Sequence, residues 1–232
     1  MERKRAMNDI AKGTIGGNVY HASILTADHL PAIMVLQEEV IGALTDRDSL
    51  QPLSEEEIIH IFNGNGLMIG IFIADELIAF RAVLLPEVDE EHLGLDCGIP
   101  QEQLSRVLYQ EISNVSPRYR GLGLQKKMAS IIMDQIDLSL YDYVCATVKP
   151  LNIPSLKDKF SQGFHVAGLK EKYGGKLRYI FLKNLKENVP SFTQEQETAM
   201  TDTLGQQRLI KAGFIGTHML QRDGQWIVVY RK

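Results

Sequence analysis

Residues Val115 to Met128, VSPRYRGLGLQKKM, set Arg118, Arg120, Lys126 and Lys127 around one proline and two closely spaced glycines. A strand that ends at Pro117 and passes into a helix through Arg-Tyr-Arg-Gly-Leu-Gly leaves several backbone N–H groups without partners at the helix start, where the macrodipole adds roughly half a positive charge. Such a place binds anions. Gly121 and Gly123 carry no side chain, so a phosphate can approach the main chain, and Arg118 and Arg120 supply charge-assisted donors. Spacing tests two phosphate motifs. A G-x-x-x-x-G-K-[ST] loop is absent, and a dinucleotide fingerprint would need a third glycine where Lys126 stands and would open the fold instead of sitting at its centre. Neither fits.

The elements that must hold this turn follow from periodicity. Val19–Leu25 reads as a first strand, and Thr26 or Asp28 caps a helix with Leu30, Ile33, Met34 and Leu36 on one side. Ser54 three residues before Glu57 is a capping-box signature, and LMIGIFI and LIAFRAVLL form an antiparallel hairpin about ADE. Leu93–Leu104 is ambiguous. RVLYQEISNVSP is the strand that leads into the turn, and beyond it Leu124, Met128, Ile131, Ile132 and Ile136 share a helical face. YVCATV is a buried strand, IPSLKDKFSQ a helix stopped at Gly163, and FHVAGL and LRYIFLKNL flank the glycine turn KEKYGGK. The expected fold class is α+β, a mixed and mostly antiparallel central sheet with helices on both faces. The expected domains are a solvated tail (1–18), a main domain (19–186) and a linker, helix and hairpin extension (187–232). Helix, Gly-Phe, strand, turn, strand occurs twice, near residues 160–184 and 210–231, either as one supersecondary unit reused or as a duplicated element.

Composition sets the outer bounds. The 232 residues are 44% hydrophobic and 23% charged with a formal net charge of −4, so no global basic field draws the chain to nucleic acid or to an anionic membrane. Leu77–Leu85, the most apolar run, is short and contains Arg81, and the charged start is not followed by the apolar core of a signal peptide. Cys97 and Cys145 lack metal-ligand spacing and the six histidines are scattered singly, so a reduced, cytoplasmic protein without a metal site is expected.

The pattern that does fit the turn is [Q/R]-x-x-G-x-[G/A], filled by Arg118, Tyr119, Arg120, Gly121, Leu122 and Gly123. With Val115 and Pro117 ahead of it, this resembles the acyl-CoA loop of the GNAT superfamily of N-acyltransferases. ATVKPLNIPSLKDKFSQGF is similar to that family's next strand and helix, with Asn152 and Ser155 at the helix start and Gly163-Phe164 at its end. The element order matches over roughly 19–185, and the motifs are specific over 115–164.

The resemblance implies an acetyl-CoA-dependent N-acetyltransferase, without a metal, that acts on a primary amine of a small molecule or peptide. The amides from Arg118 to Gly123 would hold the coenzyme A pyrophosphate, with Asn152 and Ser155 also on the coenzyme side. The strands ending at Val115 and Val148 would splay around the pantetheine arm, and the Val115 N–H would face the thioester carbonyl. An alkyl amine is mostly protonated at neutral pH, so a base must take its proton. Glu111 is the candidate, since strand alternation puts Glu111, Ser113 and Val115 on one face. Many family members carry a tyrosine acid seven residues after the helix-opening asparagine; here that position is Lys159, either a partner for the leaving thiolate or a surface residue, and Tyr173 or Tyr143 could serve instead. The alternative is a non-catalytic acyl-CoA sensor or interaction module on the same fold. Arg81 reads as a structural charge, Cys145 as core, and KYGGK or the acidic run EVDEEH as surface that could face an amine. The tail could cover a cleft, extend the sheet or mediate a homodimer.

Overall fold

The structure, a computed structural model, describes residues 9–186 and 191–232. In chain order its elements are β1 (Asp9–Ile15), β2 (Asn18–Ile24), α1 (Leu30–Gly42), α2 (Glu55–His60), β3 (Gly66–Ile73), β4 (Glu76–Leu84), α3 (Leu93–Asp96), β5 (Val107–Val115), α4 (Leu124–Met133), β6 (Tyr143–Val148), α5 (Ile153–Ser161), β7 (His165–Lys172), β8 (Lys176–Asn184), β9 (Glu195–Ala199), α6 (Thr203–Lys211), β10 (Ile215–Arg222) and β11 (Gln225–Arg231). The class is α+β, with a mixed, mostly antiparallel sheet, as the sequence indicates. The chain divides into two compact units: residues up to Leu85 with Gln110–Ile136, and Pro86–Tyr109 with Asp137–Lys232. No helix among the described residues is long and apolar enough to cross a membrane.

In the first unit β1, β2, β3 and β4 lie side by side, each antiparallel to the next. Ser54 and Glu57 make the expected capping box: the Glu57 N–H donates to Ser54 Oγ at 3.2 Å and the Ser54 N–H to Glu57 Oε2 at 2.7 Å. α1 and α2 pack Ile33, Leu36, Val40 and Ile58 against Met68, Phe72 and Phe80. α4 packs Leu124, Met128, Ile131 and Ile132 into a separate cluster with Tyr20, Ile69, Ile71 and Ile78. Each fully buried aliphatic side chain contributes about 1.5–3 kcal/mol, so these two stripes fix where α4 begins.

The expected solvated tail over 1–18 is corrected for its second half. Residues 9–15 are β1, because Gly16 and Gly17, at φ +54° and +82°, close the two-residue hairpin turn that demands positive φ twice. Gly13 also leaves room for the buried Tyr20 ring, which a Cβ there would meet at 2.8 Å. Residues 1–8 lie outside the described residues.

The second unit holds the start of β5, where Val107–Tyr109 run parallel to Tyr143–Cys145 of β6. β6, β8, β7, β10, β11 and β9 follow in that order, every neighbour antiparallel. The ambiguous stretch from Leu93 to Leu104 holds α3 and the start of a 3-10 segment over Gln101–Arg106, with Leu93, Ile99 and Leu104 buried. The linker expected at the start of the 187–232 extension contains β9, and residues 187–190 lie outside the described residues.

The repeated pattern in the sequence is a repeated structure. β6-α5-β7-β8 and β9-α6-β10-β11 share cap for cap: Asn152 accepts from the Ser155 N–H, and Asp202 accepts from the Gly205 N–H. Both helices stop at a glycine with positive φ, Gly163 or Gly213, followed by a buried phenylalanine. Both hairpins shift register at the matching place, between Val166 and Gly168 and between Gly216 and His218. Asn152 and Asp202, Gly163 and Gly213, and Val166 and Gly216 are all 50 residues apart. β7 and β10 pair with Val166 opposite Gly216, residues equivalent to one another, which is the pairing a two-fold axis between the copies generates. Gln206, fully buried, joins them: it accepts from Tyr179 Oη at 2.6 Å and Tyr230 Oη at 3.0 Å and donates to the Met200 carbonyl at 3.0 Å.

Candidate functional site

The turn is built from the strand outward. After Val115, the buried Ser116 donates its N–H to the Ile78 carbonyl at 2.9 Å and its hydroxyl to Glu39 Oε1 at 3.0 Å. Pro117–Tyr119 make one 3-10 turn, closed by the Tyr119 N–H on the Ser116 carbonyl. Gly121 and Gly123 take φ +80° and +72°, and a Cβ at either would meet nothing within 4 Å, so the backbone conformation and not crowding requires glycine. Gly123 is the N-cap of α4 and offers no side-chain acceptor, while Lys127 makes the first helical bond, to the Gly123 carbonyl at 3.1 Å. The amides of Leu124, Gln125 and Lys126 therefore have no intrahelical acceptor, and they open beside exposed Arg120, Gly121, Leu122 and Gly123.

The two arginines expected as phosphate donors differ. Arg118 is engaged by carboxylates: its guanidinium bonds Glu76 and lies 3.6 Å from Glu39 Oε1, and the Glu76 hydrogen bond raises its pKa further. It braces the loop against β4 and α1, also lying 5.6 Å from the centre of the Tyr119 ring. Arg120 is exposed. Val115 and Tyr119 pack on the α4 cluster, and Leu122 reaches Gly16 in the β1–β2 turn. Arg81, structural as expected, is 1% exposed and donates to the Gln125 carbonyl at 3.0 Å and to Gln110 Oε1 at 2.6 Å. It ties the first turn of α4 to β4 and β5, a positioning role whose only sequence signal is a lone charge in an apolar strand.

Glu111 exposes its side chain to water, yet desolvation by the surrounding protein, followed by the charge of Glu57, pushes its pKa up to about 7. Its pKa suits a base at neutral pH. Burial along β5 alternates from Gln110 to Val115, with Gln110, Ile112 and Asn114 buried and Glu111, Ser113 and Val115 more open, in keeping with the expected shared face.

In the second unit Asn152 and Ser155 form the α5 cap, Oδ1 accepting the Ser155 N–H at 3.4 Å. Lys159 is not a surface residue. It is buried, paired with Asp158 at 3.4 Å and set over the Phe164 ring. Tyr143 donates to Gln103 Oε1 at 3.0 Å, while Tyr173, held at φ +52°, has its hydroxyl 3.3 Å from Thr147 Oγ1. Cys145 is core as expected: a hydrogen bond with Cys97 and then burial push its thiol well above the ordinary value. Among the described residues no group of three or more His, Cys, Asp or Glu side chains is placed to hold a metal ion.

This architecture is the fold of the GNAT acetyltransferases. The ribosomal-protein-S18-alanine N-acetyltransferase of Escherichia coli is 16% identical and superposes with a TM-score of 0.54 over 75% of this chain and 99% of its own. A GNAT-family acetyltransferase from Streptococcus pneumoniae is 13% identical, with a TM-score of 0.54 over 71% and 98%. A candidate acetyltransferase from Salmonella typhimurium, determined with its cofactor acetyl-CoA, is 13% identical, with a TM-score of 0.53 over 75% and 99%. No protein-family model and no curated protein sequence matches the chain.

Proposed function

We propose that the chain is an N-acetyltransferase that moves an acetyl group from acetyl-CoA to a primary amine. The observation that carries this reading is the start of α4: three amides without intrahelical acceptors, a left-handed glycine cap and open space over Gly121 and Gly123. The site suits a diphosphate, with the amides from Gly121 to Lys126 as donors and Arg120 as the added charge, whereas the Tyr119 and Arg120 amides of the expected set already bond the Ser116 and Pro117 carbonyls. The similar Salmonella protein was determined with acetyl-CoA, and the similar E. coli enzyme acts on an alanine of ribosomal protein S18, which supports a peptidyl amine among the acceptors.

Glu111 takes a proton from the acceptor ammonium, directly or through water, to give the neutral amine that attacks, and the Val115 N–H polarises the thioester carbonyl. The C–N bond forms, the C–S bond breaks, and the thiolate takes up a proton.

Lys159, locked by Asp158 where a tyrosine acid would stand, favours a second reading in which the fold binds acyl-CoA without turnover. Calorimetric titration with coenzyme A, and thiol release from acetyl-CoA with a panel of amines, test both. Heat with thiol release supports the enzyme, heat with no release for any amine supports the binding module, and no heat overturns the shared premise.

A further inference from the structure

The second unit contains a cavity of about 540 Å³ lined by Glu91, Leu93, Tyr109, Glu171, Lys172 and the tip of the β7–β8 hairpin, Tyr173 to Gly175. This volume is in the range of sites that hold an organic ligand, far more than a bare ion needs. Its walls combine two tyrosine rings with carboxylates, and its one lysine is already spent. Lys172 Nζ donates to the Glu91 carbonyl at 2.9 Å and to Glu91 Oε2 at 2.6 Å, and forms an ion pair with Asp96 Oδ2 at 3.2 Å. Burial works against its charge, but those carboxylates more than restore it, so its pKa ends above the ordinary lysine value. Such a lysine, buried and paired with two carboxylates, brings no net positive charge to the cavity.

The remaining charge is negative. Glu171 is exposed and makes no hydrogen bond or ion pair among the described residues. Lys170, the neighbouring cation, is bonded to Asp96. His92, beside Glu91, is driven toward its neutral form chiefly by burial and adds no positive charge at neutral pH. Tyr109 Oη accepts the Leu93 N–H at 2.5 Å, which fixes its ring in the wall, while Tyr173 is half exposed at the tip. Ring faces and an unpaired carboxylate around an organic-sized space complement an alkylammonium or guanidinium.

From this geometry we infer that the cavity at the β7–β8 hairpin is a binding site for an organic cation, an alkylammonium or guanidinium group. The inference stands apart from the acetyltransferase reading. Glu171 faces the cation from the rim, and the tyrosines cover the methylenes.

Calorimetry on the full chain tests this with 1,5-diaminopentane and an end-blocked Ala-Lys-Ala peptide as cationic probes and succinate as the anionic control. Glu171→Gln is the clean variant, because Glu171 holds no structural contact, and Glu171→Lys reverses the charge. Expected is binding of at least one cationic probe, weaker by about threefold in Glu171→Gln, as an exposed ion pair implies, and weaker still in Glu171→Lys. Coenzyme A affinity should stay unchanged in both variants. Whichever probe binds more tightly tells a small diamine from a peptidyl lysine. Equal cation affinity in all three proteins, no cation binding, or preferred binding of succinate overturns the inference. Loss of coenzyme A binding in the unaltered chain, with cation binding intact, would instead overturn the acetyltransferase reading.

Discussion

Glu111→Gln bears most directly on the chemistry. With a pKa of about 7, Glu111 is about one-tenth ionised at pH 6 and about nine-tenths at pH 8. A base acts in its ionised form, so its contribution rises about tenfold over that interval and levels above it. The acceptor amine also deprotonates as pH rises, which tilts the whole profile. Dividing the unaltered enzyme's rate by that of Glu111→Gln at each pH cancels this slope and leaves the titration of Glu111. The quotient should reach about 100 or more at pH 8, the lower range of general-base effects, and fall about tenfold by pH 6. Glu57→Gln gives the sign. Removing a negative neighbour eases ionisation of Glu111, so its pKa falls and the inflection moves to lower pH, while a glutamine oxygen can still accept the Ser54 N–H in the capping box. The assay is initial-rate thiol release at saturating acetyl-CoA, with coenzyme A affinity measured in parallel. A quotient near unity, or a flat one from pH 6 to 8, would remove Glu111 from the mechanism.

Gly123→Glu should abolish coenzyme A binding by calorimetry, since it forces a side chain into φ +72° and sets a carboxylate where the phosphate would sit; retained affinity would refute the loop assignment. Arg120→Ala should weaken coenzyme A by about tenfold, the loss of one charge-assisted contact, whereas Arg118→Ala, whose guanidinium Glu76 and Glu39 already hold, should change it by less than about threefold; the reverse order would show that Arg118 swings to the ligand. Gln206→Leu should cost about 2–4 kcal/mol by leaving the Tyr179 and Tyr230 hydroxyls without an acceptor, seen as a melting temperature lower by about 5–10 °C. An unchanged melting temperature would mean the hydroxyls find other partners.

Local signals in the sequence translated directly into structure and long-range ones did not. Ser54 and Glu57, Asn152 and Ser155, and Gly121 and Gly123 each act within three residues, so spacing alone reveals them. Gly16-Gly17 was the same kind of signal, a hairpin turn, obscured because β1 has little apolar alternation and only Ile15 is buried. β9 has no signal of its own: EQETA is polar and none of its residues is buried, and it is a strand because Val228, Val229 and Tyr230 of β11 bury the other side of the pair. The carboxylate that takes Arg118 from the phosphate site is 42 residues away, beyond any motif. The bond from buried Arg81 to Gln110 is likewise a contact 29 residues apart.

The internal repeat separates what the fold needs from what the site needs. Asp202 and Gly205 reproduce the cap of Asn152 and Ser155 in a copy that follows no glycine loop, and Gly213-Phe214 reproduces Gly163-Phe164. Helix capping is therefore a sufficient physical reason for Asn152, worth about 1 kcal/mol, with or without a coenzyme beside it. The start of α4 has no such structural account. Where α5 and α6 each satisfy an early amide with an aspartate or asparagine oxygen, α4 begins at a left-handed glycine with no side-chain acceptor and forgoes that stabilisation. An anion with several oxygens would meet those amides, as one capping side chain does elsewhere, and Arg120 stands beside them. The weight of the coenzyme assignment accordingly falls on Arg120, Gly121 and Gly123, and a double variant at Asn152 and Ser155 would speak mainly to the stability of α5.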